Sequence, residues 1–561
     1  MKRETDKTGK RLVLLAGAIA IVVGCLAAYM PAIKAGFIWD DNKYVTENPL
    51  LTAPDGLYRI WFSTDSPSQY FPLTYTLLRA EYQLWGLNPA GYHTVNVAIH
   101  CINALLLWVI LRRLSIPGAW LASAIFALHP VQVESVAWIT ERKNTLMLLF
   151  SLLSILCWVK FVFDNQSDRK AVLLYAGSLV FCALALFSKA TACTLPAALL
   201  LILWLKHSPV TPRRLAQIVP YIAMGVGIGL LVMWWEKHHQ GMGVNLGLSS
   251  TEKTLIAGRA LWFYLWKLVW PVNLTFSYPR WNIDETDVWQ YAWPAASALV
   301  LVCAWIWRKR LGRGAVTAML FFPAMLFPML GFFSLYTFVY TFVADHYQYM
   351  ASIGPIAIVA GITAMVYRRS GENVKFIIVP AVSVLLITLG ALTWQQCGAY
   401  KNLDTLWADT LKKNPDSWLA HGQIGHSLYS QGKFDEALSH INRVLELAAE
   451  VKKMDPRAYA NAYHNKGLIL ADKGEWENAS EQFKMELEIE ENFALAHYFL
   501  ANTLVKQGKI EEAKLHYQRG LVIAMEQKNN KFAEEFRRRL EAVKTILQEN
   551  NNQPTVPGAK Q

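Results

Sequence analysis

Long apolar runs fill the first 395 residues, and from about residue 396 onward the chain is polar and rich in Ala, Leu, Glu and Lys. Each run is close to the length at which a helix crosses about 30 Å of hydrocarbon. The pattern predicts an all-α protein: a multi-spanning helix bundle over 1–395, a soluble helical domain over 396–548 and a disordered tail over 549–561. We place about eleven spans, near residues 11–30, 94–111, 118–136, 144–162, 171–188, 190–206, 214–234, 292–307, 315–333, 351–366 and 376–394.

One apolar stretch, residues 258–271, does not fit the pattern of a span. It is short, rich in Trp and interrupted by Lys267, and counting it as a span would invert every loop that follows. Because Trp is enriched where a membrane meets water, we interpret it as an interfacial or re-entrant helix on the outer side. The first span is long and lacks a small-residue cleavage site, so we expect an anchor and not a cleaved signal peptide.

Positive charge is concentrated in short loops between the spans. The net charge is +12, but its distribution follows the positive-inside pattern of membrane proteins and does not predict a nucleic-acid partner. Clusters beside Lys10, Arg112, Arg213, Arg310 and Arg368 all fall on the side of the N-terminus. We therefore expect this side to be cytoplasmic. The outer, periplasmic face would consist of the C-terminal domain and residues 31–93, 129–143, 235–291 and 334–350.

The polar C-terminal part repeats itself. A small residue, a turn glycine, a second small residue and a bulky residue recur at fixed offsets, as in Gly467, Gly474, Ala479 and Phe483. The copies at Gly467 and Ala501 lie 34 residues apart, the tetratricopeptide period. This predicts an α-solenoid of about three repeats with a groove for a peptide or protein, a plain structural spacer being the alternative. The array also contains a half repeat over 403–415, an insertion over 450–456 and a capping helix over 532–547.

Two adjacent carboxylates, Asp40 and Asp41, follow the first span. Like charges this close are costly near a membrane unless a substrate, a cation or a basic partner offsets them. We interpret one of them as the catalytic base of a glycosyl-transfer site on the outer face. Asp also favours helix N-caps and turns, so a structural role is the alternative. The residues do not decide which of the two is the base.

Further polar segments follow in the order His93, His129-Pro130 to Glu134, Glu141-Arg142-Lys143, Ser188-Lys189-Ala190 and Asp345-His346-Tyr347 with Tyr349. Together with the paired Asp and the repeats, they resemble the tetratricopeptide-bearing membrane glycosyltransferases of the GT-C class, in particular the TMTC-type protein O-mannosyltransferases and their bacterial homologues. Two departures stand out. Relatives often have Ser-Lys-Pro in place of Ser188-Lys189-Ala190, and Asp-Arg-Tyr in place of Asp345-His346-Tyr347. The second replaces a fixed positive charge with a titratable group.

The resemblance implies transfer of a sugar from a polyprenyl- or dolichyl-phosphate donor to a protein hydroxyl, with the repeats holding the acceptor protein. A hydroxyl becomes a good nucleophile when a carboxylate takes its proton, and a departing phosphate needs positive charge. The expected catalytic carboxylates are Asp40, Asp41 and Glu134. The cations expected at the donor phosphate are Arg142, Lys143, Lys189 and His346, and the residues expected to position the substrate are His93, His129, Asp345 and Tyr349.

The remaining residue patterns narrow the function classes. The seven cysteines form no CxxC and no metal-ligand spacing, so we expect no zinc site. A Gly-rich phosphate loop is also missing from the sequence, so ATP is not an expected substrate. We expect no cofactor and no metal beyond the lipid-phosphate sugar. Two alternatives stay open: a membrane scaffold whose repeats recruit partners, and a lipid-linked polysaccharide ligase or polymerase.

The predicted orientation can be tested with reporters. A reporter fused after residue 394 should be active on the outer side, and one fused near Arg310 should be active on the inner side. The reason is that short loops rich in Lys and Arg are retained in the cytoplasm. Paired periplasmic and cytoplasmic reporters at each site measure this. Cytoplasmic repeats would contradict the eleven-span topology, and residues 258–271 would then be the first to reassign.

Overall fold

The computed structural model describes residues 2–64, 69–239, 246–333, 336–447 and 455–552. Throughout these ranges the regular structure is helical, without a strand, which confirms the predicted all-α class. Contacts divide the chain into two compact units, Met1–Asp409 and Thr410–Gln561.

The first unit is built from α-helices joined by short 3-10 turns. Its α-helices are Lys2–Ala28, Met30–Ile33, Gly56–Phe62, Pro72–Trp85, Pro89–Arg113, Ala119–Leu128, Val133–Ala137, Arg142–Phe163, Asp168–Ser188, Leu195–Leu205, Pro212–His239, Ser250–Val269, Ala292–Ile306, Arg308–Leu326, Ile353–Arg369 and Glu372–Cys397. A π-helical turn covers Asn42–Thr46. The 3-10 turns are Pro49–Leu51, Pro130–Gln132, Ile139–Glu141, Ala190–Thr194, Val288–Tyr291, Phe327–Met329, Tyr336–Val339, Asp345–Gln348 and Gly398–Tyr400.

Eight helices in the described ranges are long and apolar enough to cross a membrane. Large apolar side chains on them are exposed, such as Val13 at 72%, Phe376 at 81% and Ile387 at 71%, as expected of surfaces that face lipid. The chain is thus a multi-pass integral membrane protein. The shorter apolar helices Ala119–Leu128 and Ala190–Leu205 and the helix Ile353–Arg369 overlap the three other predicted spans, the first of them only in part. The count of eleven stays a prediction.

The span predicted over 118–136 is wrong as a continuous helix. The helix Ala119–Leu128 ends before His129-Pro130, and the chain continues through two 3-10 turns and the short helix Val133–Ala137. Pro130 has no N–H to continue a helical ladder and disfavours helical backbone in the residue before it. Residues 129–148 are nevertheless buried throughout. The break therefore introduces an irregular, enclosed segment that carries Glu134 and Glu141.

The Trp-rich stretch predicted as an interfacial helix lies in a longer helix, Ser250–Val269. Ser249 and Glu252 form a capping box at its start, each side chain bonded to the backbone of the other residue. Such reciprocal bonds satisfy N–H groups that have no partner within the helix. The helix is not among the eight candidate spans, and its placement in the membrane interface stays a prediction.

The first unit extends beyond the predicted boundary at residue 395. The backbone N–H of Gly36 donates to the carbonyl of Lys401 at 2.8 Å. The ring of Trp407 packs edge-on against Trp39 and Phe276, at centroid distances of 5.1 and 5.4 Å. These contacts attach the segment after the last apolar helix to the loop that carries the paired Asp, and the division falls at Asp409.

The second unit consists of helix pairs. After Leu403–Lys413, which crosses the division, come Trp418–Ser430 with Phe434–Glu446, Pro456–Asp472 with Trp476–Ile489, and Ala494–Lys506 with Ile510–Glu526, and then Asn530–Asn552. The turns within the pairs carry Gly432, Gly474 and Gly508 at φ of 75, 81 and 76°, a backbone region that Gly enters without a Cβ penalty. Helix pairs lie at the positions of the three predicted repeats, with one helix at the predicted half repeat and one at the predicted cap.

The chain end differs in part from the prediction. The tail predicted as disordered begins at residue 549, but residues 549–552 belong to the last helix, Asn530–Asn552. Residues 553–561 lie outside the described residues, as does most of the predicted insertion over 450–456. The apolar periodicity of the cap ends at Leu547, and the polar residues 548–552 that follow carry no helical pattern, so the helix end was placed too early.

We expect the fragment 396–561 to fold alone, because each repeat buries its apolar face on its neighbour. Close packing between the helices of a repeat also predicts how a substitution changes the stability of this fragment. A Cβ added at Gly467 would lie 2.7 Å from Phe483 Cε1. Gly467→Ala should lower the free energy of unfolding, because overpacking costs about 1–3 kcal/mol against about 1 kcal/mol gained in helix propensity. Denaturant unfolding followed by circular dichroism measures this.

Gly422→Ala is the matched control, since its nearest new contact, Val444 Cγ2, lies 4.0 Å away. It should stabilise the fragment by about 0.5–1 kcal/mol. Equal effects of the two substitutions would contradict the close approach of Gly467 and Phe483, and a disordered wild-type fragment would contradict independent folding.

Candidate active site

Asp41 is a fully enclosed carboxylate that joins the first loop to the irregular segment. Its Oδ2 accepts from the backbone N–H of Ile38 at 2.9 Å. Its Oδ1 accepts from the N–H and the hydroxyl of Thr140, at 2.9 and 2.7 Å. Burial raises the pKa of Asp41 to about 7, although these three hydrogen bonds act in the opposite direction. Both carboxylate oxygens are thus occupied by the chain itself.

Asp40 has a different environment. Its side chain is 33% exposed and lies 3.5 Å from the ammonium of Lys43. The residue before it, Trp39, has a left-handed φ of 44°, which is uncommon for a large side chain. Because Trp39 turns the backbone in this way, Asp40 stays accessible while Asp41 enters the interior.

Glu141 is the centre of a buried charge cluster. Its Oε1 lies 2.9 Å from Lys143 Nζ and 3.9 Å from His346 Nε2, and its Oε2 lies 3.2 Å from Lys189 Nζ. Glu141 is 1% exposed, Lys143 and His346 are 9%, and Lys189 is 6%. A single carboxylate thus pairs with two lysines and lies near a histidine.

Asn144 connects the members of this cluster. Its amide nitrogen donates to Glu141 Oε2 at 2.6 Å, to the carbonyl of His346 at 3.1 Å and to Ser135 Oγ at 3.3 Å. Its amide oxygen accepts from Lys189 Nζ at 2.8 Å. Since one side chain bonds to four segments, Asn144 fixes the positions of both charged partners.

Glu134 holds His346 by two contacts. Its Oε2 accepts from the backbone N–H of His346 at 2.9 Å, and its Oε1 lies 3.1 Å from His346 Nδ1. The first contact fixes the backbone of His346, and the second places a carboxylate beside its ring. The structure therefore brings Glu134, Lys143, Lys189 and His346, four of the predicted site residues, into one cluster.

Lys143 also links the cluster to the first loop. Its ammonium lies 5.4 Å from the ring of Tyr44, 5.5 Å from Phe71 and 5.9 Å from Trp138. It is also within electrostatic range of Asp40. The accessible carboxylate and the cations thus lie in one region of the unit.

Arg142 faces another direction. It forms a buried ion pair with Glu81, and its guanidinium donates to the carbonyl of Tyr92 at 2.6 Å and to the side chain of Asn96. Arg142 is 0% exposed and Glu81 2%. These contacts are those of a structural ion pair joining the helices Pro72–Trp85, Pro89–Arg113 and Arg142–Phe163. They give no support to the phosphate contact predicted for Arg142.

His93 and His129 bond to backbone carbonyls. His93 Nε2 lies 3.3 Å from the carbonyl oxygen of Gly36, and His129 Nε2 lies 3.0 Å from that of Leu268. His129 Nδ1 also accepts from the N–H of Val131 at 3.4 Å, which caps the 3-10 turn there. Both imidazoles fasten loops, and neither one contacts the Glu141 cluster.

Asp345 and Tyr349 are also held by the protein. Both oxygens of Asp345 accept from the hydroxyl of Tyr278 at 3.0 Å. The hydroxyl of Tyr349 lies 2.7 Å from His100 Nδ1. Asp345 precedes His346 directly, so its bond fixes the turn that presents His346. Tyr349 lines the cavity beside the cluster.

A narrow cavity opens beside the charge cluster. Lys189, His346 and Asn144 line its polar side. The rest of its wall is formed mainly by flexible apolar and hydroxyl side chains: Met147, Met325, Met329, Met350, Thr191, Thr194, Tyr347 and Tyr349. A polar end next to an apolar wall is the chemistry that suits a ligand with a charged head and an apolar body. The space has a volume of only about 10 Å³, so its walls have to move apart before such a ligand can enter.

Sequence reasoning did not assign Glu141 and Asn144 to the site, and it did not predict Glu81 as the partner of Arg142. The sequence carries a weak signal for Glu141 and Asn144. Both flank Arg142-Lys143 at the start of a long apolar helix, where burying a polar side chain costs free energy. Glu81 stands among polar neighbours in the helix Pro72–Trp85, and its sequence context carries no signal for an ion pair.

Comparison with known families agrees with this architecture. A model of the dolichyl-phosphate-mannose-protein mannosyltransferase family matches residues 65–235, and a tetratricopeptide-repeat model matches residues 417–492. The first match contains the Glu141 cluster except His346. The second covers the first two complete helix pairs.

Curated relatives are protein O-mannosyl-transferases. The chain is 24% identical to one from Caenorhabditis elegans over 437 residues, covering 73% of this chain and 59% of the relative. It is 22% identical to human TMTC2 over 527 residues, covering 76% and 62%, and 31% identical to human TMTC4 over 180 residues, covering 28% and 24%. The chain spans about three fifths of the first two relatives' length.

Two solved structures were also compared. ArnT from Cupriavidus metallidurans bound to undecaprenyl phosphate matches with a TM-score of 0.36 and 12% identity, covering 81% of this chain and 80% of that one. The Archaeoglobus fulgidus oligosaccharyltransferase matches with a TM-score of 0.39 and 13% identity, covering 75% and 58%. The predicted resemblance to TMTC-type membrane glycosyltransferases with C-terminal tetratricopeptide repeats is confirmed by the family matches and the relatives.

The structural interpretation of Arg142 can be tested by a double substitution. Arg142→Met or Glu81→Leu alone should sharply lower the melting temperature in detergent, because a buried charge that loses its partner costs about 3–5 kcal/mol. The double variant removes both charges and should recover a large part of that loss and retain sugar transfer. A stable but inactive double variant would instead show that Arg142 contacts the substrate.

Proposed function

We propose that this chain transfers a sugar, in the simplest case mannose, from a polyprenyl- or dolichyl-phosphate donor to a hydroxyl of an acceptor protein on the outer face of the membrane. One observation carries the proposal: the accessible carboxylate of Asp40 lies in the same region as Lys143, Lys189 and His346. Glycosyl transfer from a phosphate donor needs this combination of a base and cations.

Asp40 is the base in this proposal. The acceptor hydroxyl oxygen attacks the anomeric carbon of the sugar, the bond from that carbon to the phosphate oxygen breaks, and Asp40 takes the hydroxyl proton. A pKa near 7 would suit Asp41 for the same task, but geometry has priority over pKa. Asp41 is 0% exposed and both of its oxygens already accept hydrogen bonds from Ile38 and Thr140. Its role is to position the loop that presents Asp40.

Lys189 and His346 are the cations that contact the departing phosphate, because both line the cavity beside Glu141. Lys143 contributes its charge from the Asp40 side. Before the donor binds, Glu141 pairs with both lysines, and its single negative charge leaves one positive charge of the two for the phosphate. Glu134 lies beside His346 Nδ1. The donor phosphate can then share Lys189 with Glu141 without leaving a buried cation unpaired. Arg142 has no part in this scheme.

The lipid part of the donor would leave the cavity along its methionine wall, since flexible thioether side chains adapt to an irregular apolar chain. The acceptor protein would lie in the groove of the repeats, as tetratricopeptide arrays bind extended peptides. The N-terminus would be cytoplasmic and the repeats periplasmic, in a bacterial inner membrane. The proposed chemistry uses protein side chains alone, with no resident cofactor or metal.

The assignment of the base predicts different outcomes for two neighbouring substitutions. Asp40→Asn keeps the size of the side chain and removes the base, so transfer should fall by roughly 10²–10⁴-fold at unchanged abundance. In Asp41→Asn an amide nitrogen replaces one carboxylate oxygen, and this nitrogen cannot accept a hydrogen bond from the Ile38 N–H. The main effect of this substitution should therefore be lower protein stability. Label transfer from a lipid-phosphate sugar into protein, in membranes matched for abundance, measures both.

Lys43→Gln serves as a control, because its ammonium is exposed and contacts Asp40 only at 3.5 Å; it should change transfer by less than about tenfold, as expected of an exposed ion pair. Full activity of Asp40→Asn would exclude Asp40 as the base. Full activity of both Asp variants would also exclude the glycosyl-transfer site proposed here and favour a scaffold.

A further inference from the structure

Two histidine pairs in the repeat unit have the same geometry and lie outside the site described above. His421 and His440 approach each other with their Nδ1 atoms at 2.9 Å, and His497 and His516 do so at 3.0 Å. In each pair the first histidine lies on the first helix of a repeat and the second on its partner helix. The two pairs are separated by 76 residues in sequence.

A backbone carbonyl fixes the tautomer of one histidine in each pair. Nε2 of His421 lies 2.9 Å from the carbonyl oxygen of Pro415, and Nε2 of His497 lies 3.1 Å from that of Glu491. A carbonyl can only accept, so each Nε2 carries the proton and each Nδ1 has a lone pair that points at the partner histidine. A ring N–H donated to a carbonyl is also the usual support of a metal-ligating histidine.

A carboxylate accompanies each pair at the same offset. Glu436 precedes His440 by one helical turn, and Glu512 precedes His516 in the same way. Both carboxylates are exposed, and each acts electrostatically on its histidine. Imidazole and carboxylate are ligand types that suit zinc and related divalent ions.

The middle repeat shows that the fold does not require this arrangement. At the positions equivalent to the two histidines and the glutamate it has Tyr463, Gln482 and Asn478. Its helices Pro456–Asp472 and Trp476–Ile489 nevertheless pack as a pair. The histidine pairs are therefore an addition to the packing of the first and third repeats.

We propose that each histidine pair binds a divalent transition-metal ion, such as Zn²⁺, through its two Nδ1 atoms, with the nearby glutamate and solvent completing the shell. Two nitrogens on a tetrahedral zinc lie about 3.3 Å apart, so the rings have to separate by only a few tenths of an ångström. The proton on the second histidine moves from Nδ1 to Nε2, and both imidazoles stay neutral.

Two details refine the proposal. In the described residues no three His, Cys, Asp or Glu side chains surround a common point, so Glu436 or Glu512 has to rotate toward its pair when the metal binds. Burial lowers the pKa of His421 and His497, and that of His516 to about 4, so the metal competes with few protons at pH 7. Spacing rules missed these ligands because the histidines of a pair are 19 residues apart, on two helices.

The nearest cations indicate which site is tighter. Arg443, near His421, is paired with Asp416 at 2.6 Å and with Glu446 at 2.9 Å. Lys484 acts on His516 and lowers its pKa. Arg443 and Lys484 both oppose a bound cation, but the charge of Arg443 is offset by its two carboxylate partners. The pair His421–His440 should therefore bind the metal more tightly than His497–His516.

The test uses the full chain, purified in detergent without a histidine tag, and titrates Zn²⁺ against a chromophoric chelator. Wild type should bind two ions that are lost together in the variant His421→Gln/His497→Gln. Each single substitution should remove one ion, or weaken it by at least about tenfold. His426→Gln, which changes an exposed histidine on the same helix as His421, is the control and should leave both ions bound.

A gain-of-site variant keeps the test decisive if a histidine substitution prevents folding. Tyr463→His, Gln482→His and Asn478→Glu together should give the middle repeat a third ion. Zn²⁺ should also raise the melting temperature of the wild type more than that of the double variant. Equal zinc stoichiometry in the wild type and the double variant, or zinc binding that is abolished equally in the His426→Gln control, would overturn the proposal.

Discussion

Burial of charge among packed helices is the constraint on which the rest of the first unit depends. A buried ion loses several kcal/mol of solvation, and this loss is offset only when partners are well placed. Glu141 has such partners in Lys143 and Lys189, and Asn144 bonds to Glu141 and Lys189. The break at His129-Pro130 brings the irregular segment inside, where these groups converge. The cluster therefore serves both stability and the proposed chemistry.

Neighbouring residues with the same charge have different tasks because the backbone turns them apart. Trp39, in a left-handed conformation, separates an accessible Asp40 from an enclosed Asp41. Arg142 and Lys143 are adjacent at the start of one helix, where successive side chains point about 100° apart. One therefore pairs with a carboxylate of another helix, and the other pairs with Glu141.

The sequence predicted the class and the large-scale architecture well. Apolar runs and the 34-residue period can be read along the chain without knowing which distant residues meet. It also identified Glu134, Lys143, Lys189 and His346 as candidates. It could not identify the pairings, since His346 meets Asn144 across 202 residues of sequence and Lys189 meets Glu141 across 48. Arg142 has a structural role because it pairs with Glu81, 61 residues earlier. The periodicity of the sequence does not predict such a contact.

The proposal that this chain transfers a sugar to protein is tested most directly by the mass of its products. Intact-mass analysis of secreted and membrane proteins, from cells with and without the chain, measures the mass of the transferred sugar. The same experiment identifies the acceptor protein that carries it. The account predicts that at least one protein loses a hexose-sized increment when the chain is absent and regains it when the wild type is restored. Identical protein masses in both cells, under conditions where the chain is abundant in the membrane, would contradict it.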